Sequence, residues 1–293
     1  MRVARTTHHG LSRVLQRNSQ RLNEQIRTAE QQAITGLKIS RPSDGPSEMG
    51  RALMLQGIIE DQDTYKSNAT QAIGLLSTAE QALESAADLM ERAKELALAG
   101  ANGSWNADDR EGMAAEVEQL ASELVSLANT RHGSRYVFSG RAYDTAAFDS
   151  SGTYGGEGEE PTVQVSANQW ASVGFSGSEV FQGDVDLFAL LDTLKTALED
   201  NDIDAIQGTL TDLDTGHNQV VGWRESVGHS YSVVEDAEIA AGNVEALLGT
   251  ELSDLVGIDE VEVYTRLAEL RANYEAAARV AGTSTQGSLW DFV

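Results

Sequence analysis

The sequence predicts a mainly α chain: an elongated antiparallel helical bundle or coiled coil with paired N- and C-terminal helices and a small β-rich insertion. Three observations carry this expectation. Long stretches repeat apolar residues at alternating spacings of three and four, the rhythm of a narrow seam that a facing helix must bury. Composition favours a rod, with only three prolines and 6% aromatic residues among 293. Glycine, at 27 residues, is concentrated in one central zone, where the helical pattern stops.

Two seams lie at opposite ends of the chain. Val263, Leu267, Leu270, Tyr274, Ala277 and Ala281 follow the three–four rhythm, and Leu15, Ser19, Leu22, Ile26, Ala29 and Ala33 repeat it. Neither has the apolar width of a globular core helix, so each is expected to pack on the other or on a neighbouring subunit. Leu15, Leu22, Ile26, Val263, Leu267, Leu270 and Tyr274 are therefore candidate assembly residues. Trp290 and Phe292 join them as aromatics near a chain end that favour a contact surface over a ligand box.

In order along the chain, the first ten residues, with His8, His9 and Gly10, carry no helical pattern and are expected to be extended or disordered until assembly. A helix is expected over 11–34, interrupted by Gly36. Arg41-Pro42-Ser43-Asp44-Gly45-Pro46 then forms an elbow. Pro42 and Pro46 each disfavour helix in the preceding residue, Ser43 or Asp44 can cap the next helix, and Pro46 suits its first turn. The next helix, over 47–99, carries Tyr65, Ala69, Ala72, Leu76, Ala79, Leu83, Ala86 and Met90 as its seam. At 1.5 Å per residue it would reach roughly 80 Å.

After Gly100-Ala101-Asn102-Gly103, Asn106 and Asp109 stand at capping-box spacing and start a helix that turns back on its predecessor, with Trp105 over the corner. Tyr136-Val137-Phe138 is a short β-prone run. A glycine-rich stretch leads to Thr162–Ser166 and to 170–175 as strands; 142–183 is too small for a large core of its own. Helix resumes near Asp184 and breaks at 200–204. A last long seam runs through Ile203, Ile206, Leu210, Leu213, His217, Val220, Arg224, Val227, Tyr231 and Val234, with interruptions expected near Gly249 and Gly257. The domains expected are 1–41 with 257–293 as a terminal coiled-coil assembly domain, 42–141 with 184–256 as a helical rod with a short β element, and 142–183 as an outward insertion.

The net charge is −25. Phosphate contacts need Lys and Arg, so nucleic acid is not an expected partner. The charge is uneven: through Arg41 there are eight Lys or Arg against two acidic residues, and beyond it 13 against 44. A basic first helix and an acidic remainder suit complementary packing within or between subunits. The absence of cysteine removes disulfides, thiolate nucleophiles and cysteine metal sites. No 18-residue apolar run exists, so no membrane insertion is expected, and the start lacks the apolar region of a cleavable signal peptide.

No catalytic, cofactor or metal site is expected. The sequence contains no phosphate-binding Walker loop, no dinucleotide fingerprint, no HExxH and no nucleophile elbow. His8-His9 suits flexible terminal polarity better than a metal, and His217 falls on a packing seam. Asp108-Asp109 and the acidic residues of 157–160 read as capping and exposed charge. Asp144, Asp149 and Glu157 do not match calcium-loop spacing. Trp223 lies outside the seams and suits a domain joint or an intersubunit contact.

Met1-Arg2-Val3 and the elbow stretch from Thr35 to Pro46 resemble the flagellin superfamily. The phrase Leu127-Ala128-Asn129-Thr130-Arg131-His132-Gly133-Ser134-Arg135-Tyr136-Val137-Phe138-Ser139-Gly140 resembles, more specifically, the hook-associated protein 3 family of hook–filament junction proteins, as does the ending Ser288 to Val293. The resemblance covers about 1–141 and 184–293. It implies a structural protein of the bacterial flagellum, extracellular, exported without cleavage, that adapts hook packing to flagellin packing. Its implied partners are other copies in a ring layer, the adjacent hook-associated junction protein, flagellin and a cytoplasmic export chaperone. Family elbows often carry a second aspartate where this chain has Gly45. Two other readings stand beside it: a short flagellin forming the filament itself, and an exported non-flagellar helical adhesin or tip protein.

Overall fold

Helix follows the apolar rhythm wherever proline and glycine leave it uninterrupted. The structure is a computed structural model that describes residues 2–286, with side chains described for 13, 14 and 16–280. Its helices are α1 (Arg2–Thr35), α2 (Pro46–Gly100), α3 (Ala107–Ala128), α4 (Gly177–Phe181), α5 (Leu187–Glu199), α6 (Ile203–Val256) and α7 (Glu260–Gln286). Strands β1 (Arg131–His132) and β2 (Arg135–Tyr136) pair antiparallel, and so do β3 (Thr162–Ser166) and β4 (Gln169–Ser172). The protein is thus mainly α with a small β content. It divides into two compact units, one of 1–60 with 246–293 and one of 61–245, and α2 and α6 contribute to both.

In the 61–245 unit, α2 and α6 lie side by side and antiparallel. Lys66 pairs with Glu245 at 3.2 Å, Thr70 donates to Glu238 at 2.6 Å, Arg224 reaches Glu84 at 2.9 Å, and Lys94 pairs with Asp214. One partner number falls as the other rises, which fixes the direction. The seam of α6 alternates as its spacing predicts: Ile206, Leu213, Val220, Val227 and Val234 are buried, with Leu210, His217, Arg224 and Tyr231 half-buried between them. The core face of α2 is mostly alanine, with Leu76, Leu83 and Met90 fully buried. α3 packs on α5, where Lys195 meets Glu118 at 2.8 Å.

The 142–183 stretch shares this core. Phe148 and Phe181 stack edge-on at 5.7 Å, and both contact Phe188 of α5. Burying such rings stabilises the unit by about 1.5–3 kcal/mol each, which a free-standing segment of this size would not obtain. Trp223 closes the same joint, donating its Nε1 to the Glu179 carbonyl at 3.1 Å and meeting Phe175 edge-on.

Several expectations need correction. Helix α1 begins at Arg2, within the stretch expected to be extended: once a turn exists, adding residues without proline is inexpensive. α6 runs through Gly249 to Val256, because one glycine costs about 1 kcal/mol in a helix and a long helix tolerates it. β2 ends at Tyr136, and Val137 and Phe138 leave the hairpin to enter the core. α4 has no sequence periodicity behind it and is held instead by the Ser176 and Phe138 carbonyls. At the α2–α3 corner Trp105 is 43% exposed. Buried Arg110 organises that corner, donating to the carbonyls of Gly100 (2.7 Å), Asn102 (3.0 Å) and Trp105 (2.9 Å) and to the Asn201 side chain.

Candidate assembly site

The two chain ends meet in the 1–60 and 246–293 unit. α1 and α7 pack against each other, with Arg271 on Glu30 at 2.7 Å. Along α1, Ser19, Leu22, Ile26 and Ala33 are half-buried and Ala29 is buried; along α7, Val263, Leu270, Tyr274 and Ala277 are half-buried and Leu267 is 8% exposed. Most of the seam residues therefore keep part of their surface open. The same unit leaves Ile34 84%, Val261 76% and Leu247 68% exposed. The side chain of Leu15 lies outside the described residues, as do Trp290 and Phe292 entirely.

A short backbone joint fixes how the ends meet. Gly36, at φ +70°, ends α1, and its carbonyl accepts from Ile258 N–H at 3.1 Å. Lys38 N–H donates to the Val256 carbonyl at 2.8 Å, completing an antiparallel bridge between Leu37 and Gly257. Asp259 caps α7, accepting from Val261 and Glu262 N–H at 2.9 and 3.1 Å. These backbone groups would otherwise be helix-end orphans.

The elbow follows. Pro42 is the second residue of a turn closed by Asp44 N–H on the Arg41 carbonyl at 2.9 Å, and Pro46 opens α2. Asp44 does not cap α2, contrary to expectation. Its carboxylate turns back to accept from the N–H groups of Ser40 (3.2 Å) and Arg41 (2.9 Å), while the Gly45 carbonyl takes the first helical bond from Met49. The Ser40 backbone bond, followed by those of Arg41 and the Ser43 and Ser40 hydroxyls, holds the Asp44 carboxyl below its ordinary range; its own desolvation opposes this.

The phrase from Leu127 to Gly140 forms a staple inside the other unit. The Asn129 side chain donates to the Phe148 carbonyl at 2.9 Å and accepts from Phe148 N–H at 3.0 Å. Gly133, at φ +61°, turns the β1–β2 hairpin, and His132 Nδ1 lies 2.9 Å from the Thr78 hydroxyl. Phe138 packs edge-on to Phe181 at 5.2 Å, and its carbonyl accepts from Gly177 N–H. Gly140 also has φ +61°, and a Cβ there would stand 1.7 Å from the Glu157 carbonyl oxygen, so only glycine fits. The phrase therefore docks 142–183 onto the helices. Asn129, Arg110 and Asp259 carry roles the sequence reading did not assign; only Asp259, three residues before Glu262, left a capping signal.

Among the described residues no group of three metal-ligating side chains occurs; Asp149 is occupied with Ser151 and Thr153. No described helix is long and apolar enough to cross a membrane.

Residues 7–142 match the family model of the bacterial flagellin N-terminal helical region. The flagellar hook-associated protein 3 of Escherichia coli (strain K12) is 29% identical over 285 residues, covering 87% of this chain and 90% of that protein. Flagellin FlaB1 of Treponema pallidum is 24% identical over 296 residues, covering 96% and 98%. The crystal structure of the flagellar junction protein FlgL from Legionella pneumophila has the same fold, with a TM-score of 0.59 at 14% identity over 70% of this chain and 99% of that one. These matches are all to proteins of the flagellin class. Within that class, the chain is similar over most of its length to flagellar hook-associated protein 3.

Proposed function

We propose that the chain is a structural subunit of the bacterial flagellum that forms the junction layer between hook and filament, adapting hook packing on one face to flagellin packing on the other. The observation that carries this is the match to hook-associated protein 3 along about nine-tenths of both chains. The half-covered α1/α7 seam supplies a physical means: apolar edges open on one side gain stability when a neighbouring helix covers them. Leu22, Ile26, Val263, Leu267, Leu270 and Tyr274, with Leu15, Trp290 and Phe292, are the assembly residues, and Pro42, Asp44 and Pro46 set the elbow between assembly domain and rod. Residues 142–183 face outward. The work is mechanical, with no reaction to catalyse.

Further copies in a ring layer, the adjacent hook-associated protein and flagellin are the partners. A cytoplasmic chaperone holds the chain before export, which proceeds without cleavage. Full-length similarity to flagellin FlaB1 favours a second reading, a short flagellin. Deleting the gene and labelling isolated flagella with immunogold decides between them. A junction protein gives intact hooks, flagellin released into the medium and label confined to the hook–filament boundary. Label along whole filaments overturns the junction reading and establishes the flagellin one.

A further inference from the structure

Arg13, Arg17 and Arg21 recur every four residues on α1 and so form one row. Arg13 and Arg17 lie on the side of the helix turned away from Leu22, Ile26 and Ala29, the residues that meet α7, and Arg21 lies at the edge of that side. All three are exposed, and none has an ion-pair partner among the described residues. Neighbouring like charges repel along a helix, so the row opposes α1 in the isolated chain. Glu24 is the one carboxylate on that side. Arg21 also borders a cleft of about 310 Å³ between α1 and α7, facing Arg266, which is likewise unpaired.

The charge that would complement this row is abundant in the other unit. Residues 61–245 hold nine Lys or Arg against 33 Asp or Glu, a balance of −24, whereas 1–60 with 246–293 hold 12 against 13, a balance of −1. Almost the entire charge of the protein thus resides in one unit, while its unpaired arginine row stands on the other. Within the acidic unit, exposed carboxylates such as Asp61 and Asp63 on α2 and Glu235 and Asp236 on α6 have no ion-pair partner among the described residues, since nine basic residues cannot pair 33 acids.

We infer that the Arg13–Arg17–Arg21 row of one copy docks on the acidic 61–245 unit of a second copy, so that charge selects the neighbour and the α1/α7 seam then buries its apolar edge. This rests on the junction reading and specifies the contact between copies. Facing charges set encounter rate and register more than final affinity. Exposed charges are also screened by salt, the screening length falling to about 3 Å at 1 M. The contact is therefore salt-sensitive while being formed.

The test uses the full chain in a strain lacking its own copy. Wild type restores flagellin retention; if it does not, the junction reading itself fails. With wild type active, the triple variant R13E/R17E/R21E is expected to be secreted, to keep its helical circular dichroism and to release flagellin into the medium. R13K/R17K/R21K keeps the charge and retains flagellin. Carbodiimide, which joins lysine to a touching carboxylate, is then applied to flagella carrying the lysine variant. A dimer-sized product is expected, linked from the introduced lysines to Asp or Glu within 61–245, and its yield falls when assembly takes place near 1 M salt. Full retention by the glutamate variant overturns the inference and leaves the junction reading standing. So do links found only within single chains, or only to Glu262 and Glu269 of α7. Arginine-dependent binding to phosphatidylglycerol vesicles with flagellin retention unchanged would assign the row to an anionic lipid surface and also overturn it.

Discussion

Replacing Asn129 with alanine tests the staple that joins the 142–183 stretch to the helices. Asn129 holds both backbone groups of Phe148, as donor to its carbonyl at 2.9 Å and as acceptor from its N–H at 3.0 Å. Phe148 is 2% exposed and touches Tyr154, Phe181 and Phe188. The variant loses two hydrogen bonds of about 1 kcal/mol net each, and the Phe148 groups left without partners add about 1–3 kcal/mol. A loss of about 3–5 kcal/mol follows, which in a unit of this size lowers the thermal midpoint by about 6–20 °C. Near-ultraviolet circular dichroism, which reports the aromatic cluster, follows that midpoint. Asn129→Asp sharpens the assay. Aspartate keeps the acceptor for Phe148 N–H, but when ionised it has no donor for the Phe148 carbonyl. Its destabilisation should shrink as acid restores a proton to the side chain. A midpoint for Asn129→Ala within about 2 °C of wild type, or an Asn129→Asp loss independent of pH, would refute the reasoning.

Three further outcomes are expected. Leu267→Asp places a charge at the one large buried position among the described residues of α7 (8% exposed); amide exchange in α1 and α7 should accelerate at least tenfold while 61–245 stays protected, and flagellin retention should be lost. Arg110→Met strips four hydrogen bonds from a buried corner and should cost about 3–5 kcal/mol in denaturant unfolding, with Arg110→Lys intermediate. The Asp44 carboxyl is depressed in the fold, so the elbow is favoured at every pH above the ordinary carboxyl value of 3.8, and the benefit disappears as pH falls through the lower folded value. The Asp44 carboxyl carbon should titrate below pH 3.8 by NMR, and Asp44→Ala should expose the Ser40 and Arg41 amides to exchange at neutral pH.

Much of the helical frame was legible because a three–four period is local: on α6, Ile206, Leu213, Val220, Val227 and Val234 announce their burial through spacing alone. The capping box at Asn106 and Asp109 was readable for the same reason, its partners being three residues apart. Distance along the chain hid the rest. Asn129 finds Phe148 19 residues on, Arg110 finds Asn201 91 residues on, and Gln219 reaches back to accept from Val185 N–H and donate to the Val180 carbonyl. No local pattern marks such partners. The start of α1 was missed for the opposite reason: residues 2–10 are mostly polar and lack a seam, yet contain nothing that stops a helix from extending. The Asp44 reading failed because two sets of unpaired N–H groups, behind it and ahead of it, lay within reach of one short carboxylate.

The bridge between Leu37 and Gly257 has a consequence for the order in which the molecule takes shape. Its two sides are separated by more than two hundred residues, so any process that delivers the polypeptide from its amino end presents α1 long before α7 arrives. Bringing such remote stretches together is slow, since the entropy of closing the intervening chain is lost before the contact rewards it. The terminal pair is consequently the last part to form, and until then its open apolar edge is available to whatever stands beside it.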